Sequence, residues 1–497
     1  MLYDILVEMT AKGLPNSGVR QAGRHTPYAQ VIDRAGRIAT GLIDRGIARG
    51  TPVGLLMVNG PDLLTLAFAV FAAGGVVVPL NAHAPRPELA ATARKAHVAA
   101  VIASEPYAAT GANLIEDLGG TGRFPLFVSG ADDGTSVAAL ERYSIGNLPK
   151  LGPDDPALYM FSSGSTGIPK VVPHTHGELD IDARNSRERG LNLPDDIQIN
   201  MMPGSHAMGF LSAMSLAIAN ATTLYWSDPQ PFALSKGRFA RAIQDNKVTL
   251  LMGVPFMFDA LSALKDDIDF GHIRVAMSGA IALSGQTYHR FKERFGVKIT
   301  QGYGSTECLA IAINTGENID QTFESVGPPV QGIELTIEPA ENPFGPEYGE
   351  VVVSAPWVTK GYLDAAETNA STIRNGKFYT GDLGGLGPDG CLYIKGRLKL
   401  LIEVAGHKVD PFEIEEVLGT HPAVAEAVVV GIPDVRNGGQ RLKAVIVKSA
   451  EESPDALIRY CRERLASQKV PSIVEFRDEI PKSAAGKVLR GKLMEAV

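Results

Sequence analysis

The chain contains the sequence Phe161-Ser162-Ser163-Gly164-Ser165-Thr166-Gly167-Ile168-Pro169-Lys170, and the rest of its organisation can be worked out from there. The two glycines let the backbone wrap closely around an anion. Four hydroxyl groups, the exposed N–H groups and the Lys170 ammonium can then donate hydrogen bonds to that anion. Apolar residues on both sides predict the two arms of a hairpin. The stretch therefore predicts a phosphate-binding loop.

This loop is not a Walker A loop. Pro169 stands where the second glycine is needed, and Val171 replaces the Ser or Thr that holds magnesium. A flexible Ser/Gly linker is the alternative interpretation, and composition alone leaves it open.

Composition bounds the class of protein. A length of 497 residues predicts two to four domains, and 45% hydrophobic residues support large cores. The net charge of −8, without a long basic run, argues against a nucleic-acid partner. Cys308, Cys391 and Cys461 lie far apart, so we expect neither a disulfide framework nor a zinc site, which suits a reducing cytoplasm.

We expect neither a signal peptide nor a membrane span. Met1–Thr10 lacks a basic region followed by an apolar core. The one membrane-like run, Leu63–Leu80, is split by Gly74-Gly75 and interrupted by Pro79, which favours a buried helix followed by a buried strand.

The N-terminal part alternates strands and helices. A helix beginning at Thr26-Pro27 places Val31, Ala35, Ile38 and Leu42 on one face, and it precedes a strand, a helix and a second strand. Such βαβ spacing predicts an α/β fold with parallel sheets. From about residue 326, short strands between Gly/Pro turns predict a β-rich subdomain. The last hundred or so residues alternate helix and strand, which predicts a small α+β domain hinged near Leu400.

Gln301-Gly302-Tyr303-Gly304-Ser305-Thr306-Glu307 follows a strand expected at Val297–Thr300. It fails as a dinucleotide fingerprint because Glu307 occupies the third glycine position. Chemically it offers an aromatic face for a base, the Thr306 hydroxyl for a phosphate and the Glu307 carboxylate for Mg²⁺. A tight turn with a capping threonine is the alternative.

Three further segments carry candidate chemistry. Tyr379-Thr380-Gly381-Asp382 is expected at the end of a strand, where Asp382 can accept hydrogen bonds from both ribose hydroxyls, and Arg397 can add a cation. Pro203–Gly209 surrounds His206 with small and apolar residues, and a lone histidine of this kind is usually structural. Pro481–Arg490 is a basic stretch, ordinarily a solvated surface.

Together, the five segments resemble, in order and separation, the motifs of the adenylate-forming (AMP-binding) superfamily of the acyl- and aryl-CoA synthetase type. The resemblance implies that Lys487 bridges the attacking carboxylate and the α-phosphate, that His206 lies beside the acid, and that the backbone near Gly279 and Ala280 meets the adenine. It implies nucleotide contacts from Ser162, Ser163, Gly164, Ser165, Thr166, Gly167, Lys170, Gly279, Ala280, Gly302, Tyr303, Gly304, Ser305, Asp382 and Arg397.

The resemblance also implies a domain plan. A large N-terminal domain would span residues 1–396, with the β-rich subdomain at about 326–396, a hinge at 397–402 and a mobile domain at 403–497. The family usually has Asp or Lys where Leu400 stands, so the hinge departs from the family pattern.

The implied function is an ATP-dependent carboxylic acid:CoA ligase that needs Mg²⁺ and coenzyme A and works through an acyl-adenylate. The implied acid pocket contains no Arg or Lys, which predicts an uncharged aryl or medium-sized aliphatic acid. Its members are His206, Met208, Gly209, Val254, Ala280, Tyr303 and Leu309. The alternatives are an adenylation enzyme that loads a carrier protein, and a non-catalytic nucleotide-binding relative.

Overall fold

The computed structural model describes residues 1–21, 23–120, 125–130, 136–162, 169–226, 232–316, 318–404, 406–433, 440–482 and 488–494, with the backbone alone at 216, 233 and 234. The chain divides into two compact units. The first comprises Met1–Glu334 and Val353–Phe378, and the second comprises Leu335–Val352 and Tyr379–Val497. The predicted α/β class is confirmed.

The first unit contains a six-stranded sheet that is parallel except for its last pair. Two of its strands, Ala100–Ser104 and Val76–Pro79, lie on either side of Pro52–Leu56 and consist entirely of buried residues. This is expected for a parallel sheet that is covered on both faces. The strands follow the spatial order Leu126–Ser129, Ala100–Ser104, Pro52–Leu56, Val76–Pro79, Pro156–Ser162 and Lys170–Thr175. The last two are the predicted arms of the phosphate loop, and they pair antiparallel with Ser162 opposite Lys170.

An eight-stranded sheet forms the other layer of this unit. Its middle strands are parallel, and an antiparallel pair closes each edge. The strands follow the order Leu309–Ile313, Ile299–Ser305, Val275–Ser278, Leu250–Gly253, Ile197–Asn200, Thr223–Trp226, Gly18–Gln21 and Arg24–Pro27. Because the middle strands are parallel, the residues that follow them meet at one edge, where several predicted site residues lie.

Helices cover these sheets. The helix Tyr28–Asp44 buries Val31, Ala35, Ile38 and Leu42 completely, which confirms its predicted apolar face. The other helices of the first unit are Leu2–Lys12, Pro61–Ala72, Arg86–Lys95, Ala108–Leu118, Val137–Leu140, His176–Glu188, Ala207–Asn220, Phe232–Asp245, Pro255–Ser262, Gly285–Phe295, Ile319–Thr322 and Ala366–Thr372. Within the described ranges, none of the helices has the length and apolar character needed to span a bilayer.

Four β-strands lie mainly in the second unit, in the order Glu334–Pro339, Gly349–Ser354, Lys377–Leu386 and Leu392–Arg397. The third of them begins in the first unit, where Lys377 and Phe378 pair with the short strand Ile373–Arg374. These strands confirm the predicted β-rich segment. The expectation that Asp382 ends a strand is wrong, because the strand continues to Leu386 and pairs there with Leu392–Arg397.

The rest of the second unit is a small α+β assembly. A three-stranded sheet orders Val424–Pro433, Gln440–Lys448 and Ile473–Phe476, and a hairpin pairs Ile402–Val404 with His407–Val409. The helices Pro411–Gly419 and Pro454–Arg462 supply Ile414, Leu418 and Leu457 to a core shared with the sheet. Three single-turn helices lie at Leu398–Leu400, Ser467–Lys469 and Arg490–Leu493, and a fourth, Glu105–Tyr107, lies in the first unit.

Candidate active site

The segment with Tyr303 and Glu307 forms a hairpin. The expected strand Val297–Thr300 lies later in the chain, at Ile299–Ser305, so the strand includes most of the motif. It turns through Thr306 and Glu307 and returns antiparallel as Leu309–Ile313. A Cβ on Gly304 would lie 2.2 Å from the carbonyl oxygen of Leu309, so the pairing requires glycine there.

The tip of this hairpin is held by its neighbours. The Nε2–H of the buried His174 donates to the carbonyl of Thr306 at 2.8 Å. The backbone N–H of Thr359 donates to the carbonyl of Glu307, also at 2.8 Å. Leu309 has a φ of 54°, a left-handed conformation that is uncommon for a branched residue and is frequent near functional sites. The backbone that presents Thr306 and Glu307 is therefore fixed by long-range contacts.

Tyr362 contacts two of the predicted residues and was not predicted from the sequence. Its hydroxyl donates to Oε1 of Glu307 at 2.8 Å, and the Lys170 Nζ lies 4.8 Å from the centroid of its ring. Glu307 is only 9% exposed. The Gly361-Tyr362 pair is a weak turn signal, and no spacing rule connects it to Glu307. Its position in the site became visible only in the fold.

The segment expected to meet the adenine lies at the carboxyl edge of the eight-stranded sheet. The N–H of Gly279 donates to the carbonyl of Gly253 at 3.1 Å, which places Gly279 beside Val254. A Cβ on Gly279 would lie 2.7 Å from Cε of Met208 and 3.4 Å from the carbonyl oxygen of Gly302. Ala280 is exposed with a φ of 66°. The structure thus brings Val254, Met208 and Gly302 close to Gly279, where there is no room for a larger side chain.

His206 directly precedes the helix Ala207–Asn220. Its N–H donates to the carbonyl of Pro203 at 3.0 Å, and its own carbonyl accepts from Phe210 at 2.9 Å. Asn59, another residue that sequence reasoning missed, accepts from the N–H of Gly204 at 2.7 Å and donates to Met202 at 3.0 Å.

The small size of Gly204, in the turn before His206, has a steric reason. A Cβ on Gly204 would lie 2.3 Å from Cδ2 of Leu63. Gly209 is also confined, since a Cβ there would lie 2.2 Å from the carbonyl oxygen of Pro203. Small residues therefore let this turn close tightly in front of the helix.

In the second unit, Asp382 and Arg397 form an ion pair. Nε of Arg397 lies 2.5 Å from Oδ1 of Asp382, which is 8% exposed. Antiparallel pairing puts the two residues directly opposite each other. Gly381, with a φ of 72°, precedes Asp382, whose N–H donates to the Thr380 hydroxyl at 3.0 Å. The two residues predicted to bind one nucleotide are thus adjacent.

Some predicted residues lie outside the described part of the chain. They are Ser163, Gly164, Ser165, Thr166, Gly167 and Lys487. On either side of the terminal segment, Lys482 and Val488 form an antiparallel bridge, and the N–H of Leu489 donates to Pro481 at 2.9 Å. The roles of Ser163, Gly164, Ser165, Thr166, Gly167 and Lys487 stay predictions.

The carboxylate of Glu307 suits a magnesium ion that binds together with a nucleotide. Mg²⁺ is usually held by one or two carboxylates together with substrate phosphates and water. Glu307 supplies one buried carboxylate, and within the described ranges no three His, Cys, Asp or Glu residues gather as a metal-binding group. Such a donor set suits Mg²⁺ delivered with ATP better than a closed all-protein site.

Comparison with known proteins gives the family. Residues 8–363 match the profile of the AMP-binding enzymes, and residues 413–487 match that of the AMP-binding enzyme C-terminal domain. The chain is 30% identical to the putative acyl-CoA ligase YdaB of Bacillus subtilis, over 99% of this chain and 98% of that protein. It is 31% identical to a feruloyl-CoA synthase of an Amycolatopsis species, over 96% and 95% respectively.

A solved structure agrees over the whole length. ATP-bound MatB from Rhodopseudomonas palustris superposes with a TM-score of 0.88 at 27% identity, covering 99% of this chain and 98% of that one. The chain belongs to the adenylate-forming family of AMP-binding enzymes, as an AMP-forming acid–thiol ligase of the acyl- and aryl-CoA synthetase type that uses ATP, Mg²⁺ and coenzyme A.

Proposed function

We propose that this enzyme joins an uncharged aryl or medium-sized aliphatic acid to coenzyme A through an acyl-adenylate. One observation carries the choice of acid. Pocket residues are supplied by one helix and by four strands or their ends, and none of these elements contains a charged residue. They are Ala207–Asn220, Leu250–Gly253, Val275–Ser278, Ile299–Ser305 and Leu309–Ile313.

An acidic group, Asp182, joins two of these elements. Asp182 accepts from the Ser215 hydroxyl at 3.4 Å and from the N–H of Ala310 at 3.3 Å, and burial raises the pKa of its carboxyl group. A second carboxylate on the substrate would therefore lose water without gaining a cation. The feruloyl-CoA synthase relative supports an aryl acid. Relatives of comparable identity are named for acids with two carboxylates, so similarity alone does not select the acid.

The residues of this chain would act mainly by position and charge. When a carboxylate attacks the α-phosphate of ATP, negative charge spreads over the phosphate oxygens, and fixed donors and cations stabilise it. We assign this stabilisation to Thr166, Lys170, Thr306 and Lys487, with Glu307 holding Mg²⁺, which neutralises phosphate charge. Asp382 would accept hydrogen bonds from the ribose, while His206 would lie beside the acid.

The domain plan belongs to the same proposal. A hinge at 397–402 would let residues 403–497 bring Lys487 to the nucleotide and then withdraw it before thioester formation. The family profiles support a division, since the first match ends at residue 363 and the second begins at residue 413. We also propose a cytoplasmic location, where ATP and coenzyme A are supplied.

The acceptor and the acid can be tested together. Pyrophosphate release is measured for a panel of benzoate-like, hexanoate-like, dicarboxylic and amino acids, with and without coenzyme A, and the thioester is identified by mass. We expect aryl or medium-chain acids to give the highest kcat/KM and acyl-CoA as the product. A dicarboxylate or amino acid that ranks first would refute the choice of acid. Pyrophosphate release without any acyl-CoA would favour a carrier protein as acceptor.

A further inference from the structure

We infer that Tyr362 is a positioning residue that aims the Glu307 carboxylate at magnesium while it keeps that carboxylate apart from the Lys170 ammonium. The inference rests on the proposed role of Glu307 as the magnesium ligand. It adds a residue that lies outside the nucleotide motifs described above and that acts through Glu307.

The first support is the hydrogen bond itself. The Tyr362 hydroxyl donates to Oε1 of Glu307 at 2.8 Å, and both side chains are at most 9% exposed. A hydrogen bond to one oxygen restrains rotation of the carboxyl group and leaves the second oxygen as an acceptor. Because the donor is neutral, it fixes the carboxylate without cancelling the negative charge that a metal requires.

The second support is the position of Lys170. Its ammonium lies 4.8 Å from the centroid of the Tyr362 ring. Tyr362 therefore contacts Lys170 through its ring and Glu307 through its hydroxyl. Among the described residues, no cation forms an ion pair with Glu307. An aromatic ring between a lysine and a glutamate attracts the cation through its face. The two opposite charges therefore stay separate, so that the ammonium can meet phosphate and the carboxylate can meet metal.

The third support is the rigidity of the backbone around Tyr362. The Asn369 side chain accepts from the N–H of Tyr362 and donates to its carbonyl, both at 2.8 Å. Gly361 has a φ of 140°, and a Cβ there would lie 2.9 Å from Nδ2 of Asn369. The N–H of Leu363 donates to Val171, next to Lys170, at 3.0 Å. These contacts restrain the backbone at residues 361–363 and therefore fix the position of the Tyr362 side chain.

Tyr362→Phe isolates the hydroxyl, because it keeps the ring under Lys170. The matched control is Tyr288→Phe, since the hydroxyl of the fully buried Tyr288 donates at 2.6 Å to Oδ1 of Asp320, a carboxylate that belongs to none of the nucleotide motifs. Both variants lose one hydrogen bond from tyrosine to a carboxylate, so a general loss of stability would appear in both.

The first readout is binding of Mn²⁺ in the presence of saturating ATP, followed by electron paramagnetic resonance, which needs no acid. We expect Tyr362→Phe to raise the half-saturating metal concentration about tenfold and Tyr288→Phe to leave it unchanged. The second readout is the Mg²⁺ dependence of pyrophosphate release with the best acid of the panel. The Mg²⁺ concentration that gives half of the maximum rate should rise by the same factor, while the maximum rate at high Mg²⁺ stays within about twofold of the parent.

A further variant, Tyr362→Leu, removes the ring as well. We expect it to raise the KM for ATP beyond the value for Tyr362→Phe, because Lys170 then loses its contact with the ring that stands next to Glu307. If Tyr362→Leu does not fold, Tyr362→Phe still decides the matter.

The outcomes separate this inference from the proposed function. If no acid in the panel reacts but Tyr362→Phe weakens Mn²⁺ binding, the positioning role stands and the proposed substrate falls. If acids react but metal binding is unchanged, or changes equally in Tyr288→Phe, the positioning role is wrong. A parent enzyme that does not bind Mn²⁺ with ATP would overturn both.

Discussion

Glu307 and Asp382 are both nearly buried carboxylates in predicted nucleotide motifs, yet they are held in opposite ways. Glu307, in the first unit, accepts a hydrogen bond from the neutral Tyr362 hydroxyl. Asp382, in the second unit, pairs with the Arg397 guanidinium at 2.5 Å. Among the described residues, no cation pairs with the negative charge of Glu307, whereas Arg397 offsets that of Asp382.

The difference indicates what each carboxylate is suited to bind. A carboxylate with its full charge attracts a divalent cation, whereas a carboxylate paired with arginine still offers lone pairs to neutral hydroxyl donors. We therefore propose that the identity of the neighbouring side chain, rather than burial, distinguishes the proposed metal ligand from the proposed ribose acceptor. Changes at these residues can break or sharpen that distinction.

The largest expected effect is that of Glu307→Gln. An amide keeps the size and the hydrogen bond from Tyr362 but cannot neutralise Mg²⁺, so pyrophosphate release should fall about a hundredfold or more with an unchanged melting temperature. Glu324→Gln, at an exposed glutamate of the same unit, is the control. Normal turnover of Glu307→Gln across a range of Mg²⁺ concentrations would show that this carboxylate does not bind the metal.

The next effect concerns a third carboxylate, Asp410, which caps the helix Pro411–Gly419. Burial, with smaller contributions from the charges of Glu415 and Glu413, raises the pKa of Asp410 to about 6. The proton is therefore bound more tightly in the folded state. Its stabilising effect is complete below the unfolded pKa of 3.8 and is lost as the pH rises through 6.

Asp410→Asn keeps a capping oxygen and removes the charge. We expect the free energy of unfolding of the second unit to rise by about 2 kcal/mol at pH 7.5 and to change little at pH 4. The shift in melting temperature relative to the parent, recorded at both pH values, follows this change. The same gain at both pH values would show that the charge of Asp410 is not responsible. Asp382 pairs with an arginine, whereas the charges of two glutamates contribute to the raised pKa of Asp410. The result would therefore sharpen the contrast between these two carboxylates.

Asp382→Asn should have a smaller effect on activity than Glu307→Gln. The amide retains one acceptor but loses the ion pair with Arg397, so the KM for ATP should rise about tenfold. The Mg²⁺ dependence should not change, because the proposed partners of this carboxylate are the neutral ribose hydroxyls. A shift in the Mg²⁺ requirement of this variant would erase the distinction between the two carboxylates.

The smallest expected effect is that of Gly381→Ala. The φ of 72° strains alanine, but no atom lies within 4 Å of the added Cβ, so the cost should be about 1 kcal/mol. Gly376→Ala is the matched control, with a φ of 74° and equally open space. Both variants should lose similar stability, and only Gly381→Ala should raise the KM for ATP. Equal KM values would mean that the backbone at Gly381 does not position Asp382.

Much of the local structure could be predicted from the sequence. The apolar face of Tyr28–Asp44 and the hairpin arms at Ser162 and Lys170 follow from residue periodicity and turn composition, which act over a few residues. The boundaries were less predictable. Asp382 was expected to end a strand, but pairing with Leu392–Arg397 continues that strand to Leu386. Such pairing depends on a partner strand and not on the segment alone.

The sequence by itself determined the family and its chemistry, because the Tyr303–Glu307 segment, Asp382 and the glycine-rich loop each carry their functional groups within a few adjacent residues. Only the tertiary structure revealed that Tyr362 holds Glu307, a contact between residues 55 positions apart. Only the fold, likewise, explains Gly204 by the approach of Leu63. Contacts of this kind depend on which elements pack together and in what register, and no local pattern encodes that. The tertiary structure therefore decided the charge environment of each carboxylate.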